Sequence, residues 1–189
     1  MRAPGWTLRR ATLGDGPADI AHMRRAIALH RQADTSGALR AIDAAMALRP
    51  RDPYLADLKG QILLEGRRPQ DAVAAYRRAT ELGGRNALIL GGYGRALLAA
   101  GQTEQAIRVL ERARAQDFRA PRVLRDLASA HAQAGQIGQA ALATAERYAL
   151  AGRMRDASMH AKRAQALLPE GSAAWQRAMD VLAAARRAG

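Results

Sequence analysis

The sequence predicts an all-α, right-handed solenoid of about ten antiparallel helices. Three observations point there. About a quarter of the 189 residues are alanine, aromatics make up only 4%, and no long β-branched run occurs, a composition that favours helices packed through small side chains. Small and apolar residues recur every 34 positions, the mark of stacked supersecondary units. Prolines, glycines and capping side chains fall where such units must start and turn.

The elements follow in order. A helix over 19–32 carries Ala26 and Leu29, and one over 36–48 carries Ala38, Ile42 and Ala45 before Pro50 closes the first pair. Asp52-Pro53 sets an N-cap ahead of a first-turn proline for a helix over 53–65 with Gly60 and Leu63. A partner over 69–82 repeats the spacing with Ala72, Tyr76 and Ala79. Helix 87–100 holds Gly94 and Leu97 and ends at Gly101; helix 103–116 holds Ala106, Leu110 and Ala113. Pro121 opens helix 121–134, with Ala128 and His131, and Gly135 turns the chain into helix 138–151 with Ala140. There the pattern decays, because Thr144 and Arg147 occupy packing positions. A shifted register fits better, through Ala145, Tyr148, Gly152, Ala157, Ala161, Ala164 and Pro169. It makes helix 138–151 the partner of its predecessor and the first helix of the pair completed by helix 154–168. Ser172 can cap a last helix over 172–187, whose Trp175, Met179 and Leu182 share one face.

A 34-residue period with small residues at the eighth and twentieth positions is the tetratricopeptide pattern. The small positions let two antiparallel helices approach, and one pair cannot bury its own apolar face, so pairs stack. Three regions result: an irregular N-terminal segment over 1–18, broken by Pro4, Gly5, Gly14, Gly16 and Pro17; helix pairs over 19–171; and a capping helix over 172–189. Trp6 and Leu8 are candidates to dock the first segment on the first pair.

Composition narrows the chemistry. Cysteine is absent, which removes disulfides, thiolate metal sites and Cys nucleophiles. No run of 18 apolar residues occurs, and the first twenty residues hold no apolar core of the signal-peptide kind. The net charge of +13 is nearly all arginine and fits nucleic acid, anionic lipid, an acidic protein, or an arginine-rich habit. Single-strand binders pair basic grooves with aromatic platforms. Here arginine pairs are spread along every helix and aromatics are scarce, so specific nucleic-acid binding is not expected. Gly91-Gly92-Tyr93-Gly94 lacks the Lys and Ser/Thr of a phosphate loop and follows no strand. His131 stands where an aromatic is usual and reads as a core residue.

Several stretches are similar to one family: RAPGWTLRR at 2–10, DPYLADLKGQILLE at 52–65, NALILGGYGRAL at 86–97, PRVLRDLASAHAQAG at 121–135, TAERYALAGR at 144–153 and LLPEGSAAWQRAMDVL at 167–182. The chain resembles the C-terminal tetratricopeptide region of bacterial periplasmic zinc metallopeptidases, relatives of the beta-barrel assembly-enhancing protease, in their alphaproteobacterial branch. The resemblance implies a periplasmic setting, outer-membrane proteins or their assembly machinery as partners, and zinc only in a protease domain outside this sequence. That family's H-E-x-x-H helix is missing. His22, His30, His131 and His160 have no His four residues away and no Glu next to them, so no catalytic, cofactor or metal residue is expected. The expected role is a non-catalytic protein-interaction domain; a free-standing adaptor, cytoplasmic if so, is the alternative.

In the tetratricopeptide pattern the second, fifth, ninth and twelfth positions of each first helix face the concave groove. The partner-binding residues expected on this rule are Tyr54, Asp57, Gln61, Gly91, Arg95, Arg122, Arg125, Ser129 and Gln133. Hydrogen-bonding groups of both signs with an aromatic suit an extended peptide, and arginine holds carboxylates through two parallel bonds. Met23, Ile27, Asp57 and Leu58 stand where chaperone-tail carboxylate clamps carry Lys and Asn, so recognition of a terminal carboxylate is not expected. Gly91 has two readings, close approach of a partner backbone or tight contact with a neighbouring repeat.

Overall fold

The computed structural model describes residues 17–83 and 86–188. Among them are ten α-helices and no strand: α1 (Ala18–Arg31), α2 (Thr35–Leu48), α3 (Pro53–Glu65), α4 (Pro69–Gly83), α5 (Ala87–Ala99), α6 (Thr103–Gln116), α7 (Pro121–Gln133), α8 (Ile137–Leu150), α9 (Met154–Leu167) and α10 (Ala173–Arg187). Every expected boundary lies within two residues of these. Trp6, Leu8 and the rest of the expected irregular segment up to residue 16 lie outside the described residues. The chain divides into two compact units between Ala100 and Gly101.

In the first unit α1 packs on α2, and α3 on α4. Asp34 caps α2 by accepting from the Gly37 amide at 2.8 Å, and Asp52 caps α3 by accepting from Tyr54 at 2.9 Å. The small positions do what the period requires: Ala26, Ala38, Ala45, Ala72 and Ala79 are fully buried. Around them Ile42, Leu55 and Ile62 build the core, with Met23, Leu29 and Met46 at its edge. Tyr76 of α4 lies between α3 and α5. A Cβ on Gly60 would meet its ring at 2.7 Å, and one on Gly92 would meet Cζ at 2.8 Å and the hydroxyl at 2.9 Å. The glycines make room for the ring, which accounts for Gly92 as well as for the small eighth position at Gly60.

The second unit contains the register change. Ala128 and Ala140, the small positions of the unshifted period, are only partly buried, whereas Ala145 and Ala157 of the shifted one are fully buried. The turns agree. Positive φ closes a first helix at Ala33, Arg67, Gly101 and Gly135, 34 residues apart, and then at Gly152 after only 17. At four of these turns the same long backbone bond forms, from Asp34 to Leu29, Arg68 to Leu63, Gln136 to His131 and Arg153 to Tyr148, the tightest satisfaction of a helix C-terminus. Helix α8 therefore ends as a first helix although it began as a second one. It packs on α7 and on α9 and touches α10. Ala145, Ala157, Ala161, Val181 and Leu182 share one core, and Ser172 caps α10 by accepting from Trp175 at 3.2 Å.

A polar chain threads the second unit. His131, 5% exposed, places Nδ1 2.6 Å from Gln136 Oε1 and Nε2 3.7 Å from Glu111 Oε1. Arg114 Nε donates to Glu111 at 3.0 Å, and its Nη1 donates to both Glu146 oxygens at 3.3 and 3.2 Å. Arg177 Nε lies 3.5 Å from Glu146. The close approach of His131 first, and the Arg114 charge after it, hold the Glu111 carboxyl below its usual 4.5 against the effect of burial. A carboxyl depressed by folding contributes stability that is complete above pH 4.5 and is lost as pH falls through its folded value. His131→Phe keeps the aromatic volume and removes that polar contact. Its acid unfolding limb, followed by circular dichroism below pH 4.5, should be shallower than the parent's; an equal slope would show that His131 does not hold the Glu111 charge.

Candidate functional site

The expected binding residues fall on both units, and each set makes its own face. On α3, Tyr54, Asp57 and Gln61 lie three and four residues apart, which puts them on one side of the helix. Glu65 continues that row by one turn. Tyr54 is 57% exposed, and its hydroxyl accepts from Asn86 Nδ2 at 3.3 Å. Asn86 in turn caps α5 by accepting from the Leu88 amide at 2.8 Å. Leu88, beside it at the start of α5, is 66% exposed. Gln61 donates to Glu65 at 3.0 Å, and His30 Nε2 from α1 sits 2.7 Å from the other Glu65 oxygen. The face thus joins α1, α3 and α5 through an aromatic-apolar ledge at one end and a His30–Glu65–Gln61 cluster at the other.

Charge on this face is balanced locally. Burial pushes the Asp57 carboxyl up and the Arg95 charge pulls it back. Burial also acts on Glu65, but the hydrogen bonds from Gln61 and His30 and the charges of His30 and Arg95 outweigh it, so that carboxyl lies below its usual value. Beneath them the Tyr76 hydroxyl is held well above its ordinary range, by burial first and then by Asp57 and Glu65. It stays a neutral hydrogen-bonding group.

Gly91 departs from the expected groove. It is buried within α5, together with Leu90, Gly92, Tyr93 and Gly94. A glycine buried with its neighbours on both sides offers no open position to a partner. His30 and Glu65 are the residues that sequence reasoning passed over. His30 is a twelfth position of the first repeat, and the groove rule applied to α1 finds it. Glu65 is visible in the four-residue spacing Asp57, Gln61, Glu65.

On the second unit Arg122, Arg125, Ser129 and Gln133 are exposed along one side of α7. Arg125 donates from Nε and Nη2 to Asp126 Oδ1 at 3.0 and 2.9 Å. Gln133 Oε1 accepts from Thr103 at 3.3 Å. Arg122 makes no hydrogen bond or ion pair among the described residues and is the open cation of this row. His160 stacks on Tyr148 with ring centroids 5.4 Å apart, while Arg147 and Arg153 place their guanidiniums 4.6 and 4.5 Å from the same ring. Among the described residues no three His, Asp or Glu side chains gather as metal ligands. No described helix is long and apolar enough to cross a membrane.

Two tetratricopeptide-repeat family profiles match the sequence, one over residues 23–87 and one over 63–125. The chain is an all-α solenoid of tetratricopeptide repeats. Such repeats mediate protein–protein contacts and are generally non-catalytic. No curated protein sequence matches the chain. Solved structures do. MamA, from residue 41 to its end, of Desulfovibrio magneticus RS-1 superposes with a TM-score of 0.67 at 17% identity, over 92% of this chain and 96% of that one. PilW, a type IV pilus biogenesis factor, gives 0.64 at 19%, over 91% and 87%. A thermophilic tetratricopeptide protein of Thermus thermophilus gives 0.55 at 17%, over 90% and 98%. At these identities the likeness shows the fold alone.

Proposed function

We propose that this tetratricopeptide solenoid binds extended peptide segments of a protein partner on the first-helix face of each unit. One observation carries the reading: Tyr54 and Leu88 stand exposed beside Asp57, Gln61 and Arg95, so an apolar ledge adjoins donors and acceptors of both signs. An extended chain presents side chains and backbone amides together and can use both. The α7 row, with Arg122 open and Ser129 and Gln133 beside it, offers the same chemistry on the second unit.

The context we propose is the substrate- or partner-binding part of a periplasmic zinc metallopeptidase in outer-membrane protein quality control. The stretches at 144–153 and 167–182 support it, being more specific than the general repeat pattern. Zinc and catalysis would then belong to the protease part and not to this chain. A reading frame running upstream of residue 1 into an H-E-x-x-H helix is the expected finding at the native locus; a stop codon there would leave a free-standing adaptor.

The binding faces are tested with fluorescein-labelled extended peptides taken from outer-membrane β-strands, by anisotropy. Arg95 and Arg125 are poor probes, because each sits against a carboxylate of its own chain, Asp57 and Asp126. Tyr54→Ala combined with Arg122→Glu touches neither pair. It is expected to weaken binding at least about tenfold, a loss of about 1.4 kcal/mol, with the far-ultraviolet dichroism unchanged. Equal affinity in parent and variant would remove both faces from the function.

A further inference from the structure

The register change leaves a second surface on the other unit. Because α8 is shared between two pairs, α6 and α10 both lie beside it, and an open groove of about 630 Å³ runs between them. Small residues line it, Ala115, Ala149 and Ala184 from the three helices in turn. Its margin is apolar and exposed, with Phe118 67% and Leu150 43% accessible. Small residues beside an apolar margin let another backbone approach closely, the arrangement a groove needs to receive a helix.

The charges fit the same occupant. Glu146, in the lining, is flanked by Arg114 at 3.2 Å and Arg177 at 3.5 Å. An apolar stripe laid over it would cover a compensated group and leave no lone charge out of water, which would be costly. At the α10 edge Asp180 is exposed and makes no ion pair among the described residues. In a chain of net charge +13 the groove lining is balanced, with Glu146 and Asp180 against Arg114 and Arg177, and Asp180 is the one carboxylate of the lining that no guanidinium among the described residues holds. We infer that the groove between α6 and α10 docks an amphipathic helix of a partner protein, its apolar stripe on the alanine lining and a Lys or Arg at its edge paired with Asp180. The surface is distinct from the first-helix faces, and neither reading depends on the other.

A displayed library of helical peptides of about 18 residues, five turns, selected on the full chain, tests this. Enriched sequences should carry apolar residues at helical spacing with a basic residue at one edge. Selected peptides should bind at least about tenfold more weakly to Ala184→Arg, which fills the groove, while Tyr54→Ala binds as the parent does. Asp180→Lys should reject the basic-edged peptide and accept its Lys→Glu counterpart. Asp180 is exposed and Ala184 half-buried on α10, and unchanged dichroism is required of both variants. Enrichment of peptides without helical spacing, or binding indifferent to Ala184→Arg, overturns the proposal. So does a parent dimer in sedimentation that Ala184→Arg dissolves, since a second copy would then be the occupant.

Discussion

Gly92→Ala is expected to destabilise the chain by about 1–3 kcal/mol, the usual range for overpacking a filled core. The expectation runs against local propensity, since alanine is the better helix former by about 1 kcal/mol. Geometry decides between them. The new methyl would stand 2.8 Å from Tyr76 Cζ and 2.9 Å from its hydroxyl. A lone side chain would swing aside, but here the far edge of the ring, Cδ2 and Cε2, already faces Gly60 at a distance that leaves no room for a Cβ there. Tyr76 is also 3% exposed, without free space to enter. Gly60→Ala should therefore cost a similar amount. Tyr76→Leu, which shrinks the ring out of the slot, should be costly alone yet partly rescue Gly92→Ala. Urea unfolding followed by dichroism gives the coupling between the two sites. A Gly92→Ala protein more stable than the parent would mean that α5 can draw away from α4.

The same slot shows what was legible in the sequence. The small eighth and twentieth positions, the apolar positions between them and the caps at Asp52 and Ser172 obey a period, and a period is readable without coordinates. The shift after residue 135 was readable too, because Ala145, Gly152 and Ala157 repeat the pattern 17 residues early. Gly92 obeys no period. Its reason is a ring 16 residues away on another helix. Gly91 sat at a groove position by count but is buried in α5, within the unbroken buried run from Ile89 to Gly94. The spacing of Arg125 gave its face but not its neighbour, and Asp126 takes two of its donors. The groove along α8 was out of reach for a further reason: its walls come from three helices of which none is adjacent in sequence to another.

The second large effect is expected at Arg114. Its guanidinium holds Glu111 at 3.0 Å and Glu146 at 3.2 Å, with Arg114 22% and Glu146 18% exposed. Breaking a fully buried pair costs about 3–5 kcal/mol. This one keeps some solvent, and Arg177 still approaches Glu146, so Arg114→Met should lose about 2–3 kcal/mol near neutral pH. The pH dependence identifies the cause. Burial already raises the Glu146 carboxyl above its usual 4.5, with Arg114 opposing. A raised carboxyl binds its proton more tightly in the folded chain, so stability falls as pH climbs from 4.5 through the folded value and levels off above it. Without Arg114 that value climbs further, and Glu111 loses one of the groups that hold it low. The deficit of the variant should thus be widest at neutral pH and should shrink as pH falls toward 4.5. A deficit independent of pH would mean that Arg114 acts through its aliphatic stem. Arg114→Met with Glu146→Leu should restore most of the stability, because an apolar pair of similar volume does not leave a charge behind. That double variant also separates the two roles of the pair. If the groove along α8 takes a helix as proposed, an apolar lining in place of Glu146 and Arg114 should still bind it, while Asp180 continues to choose the sign of its edge.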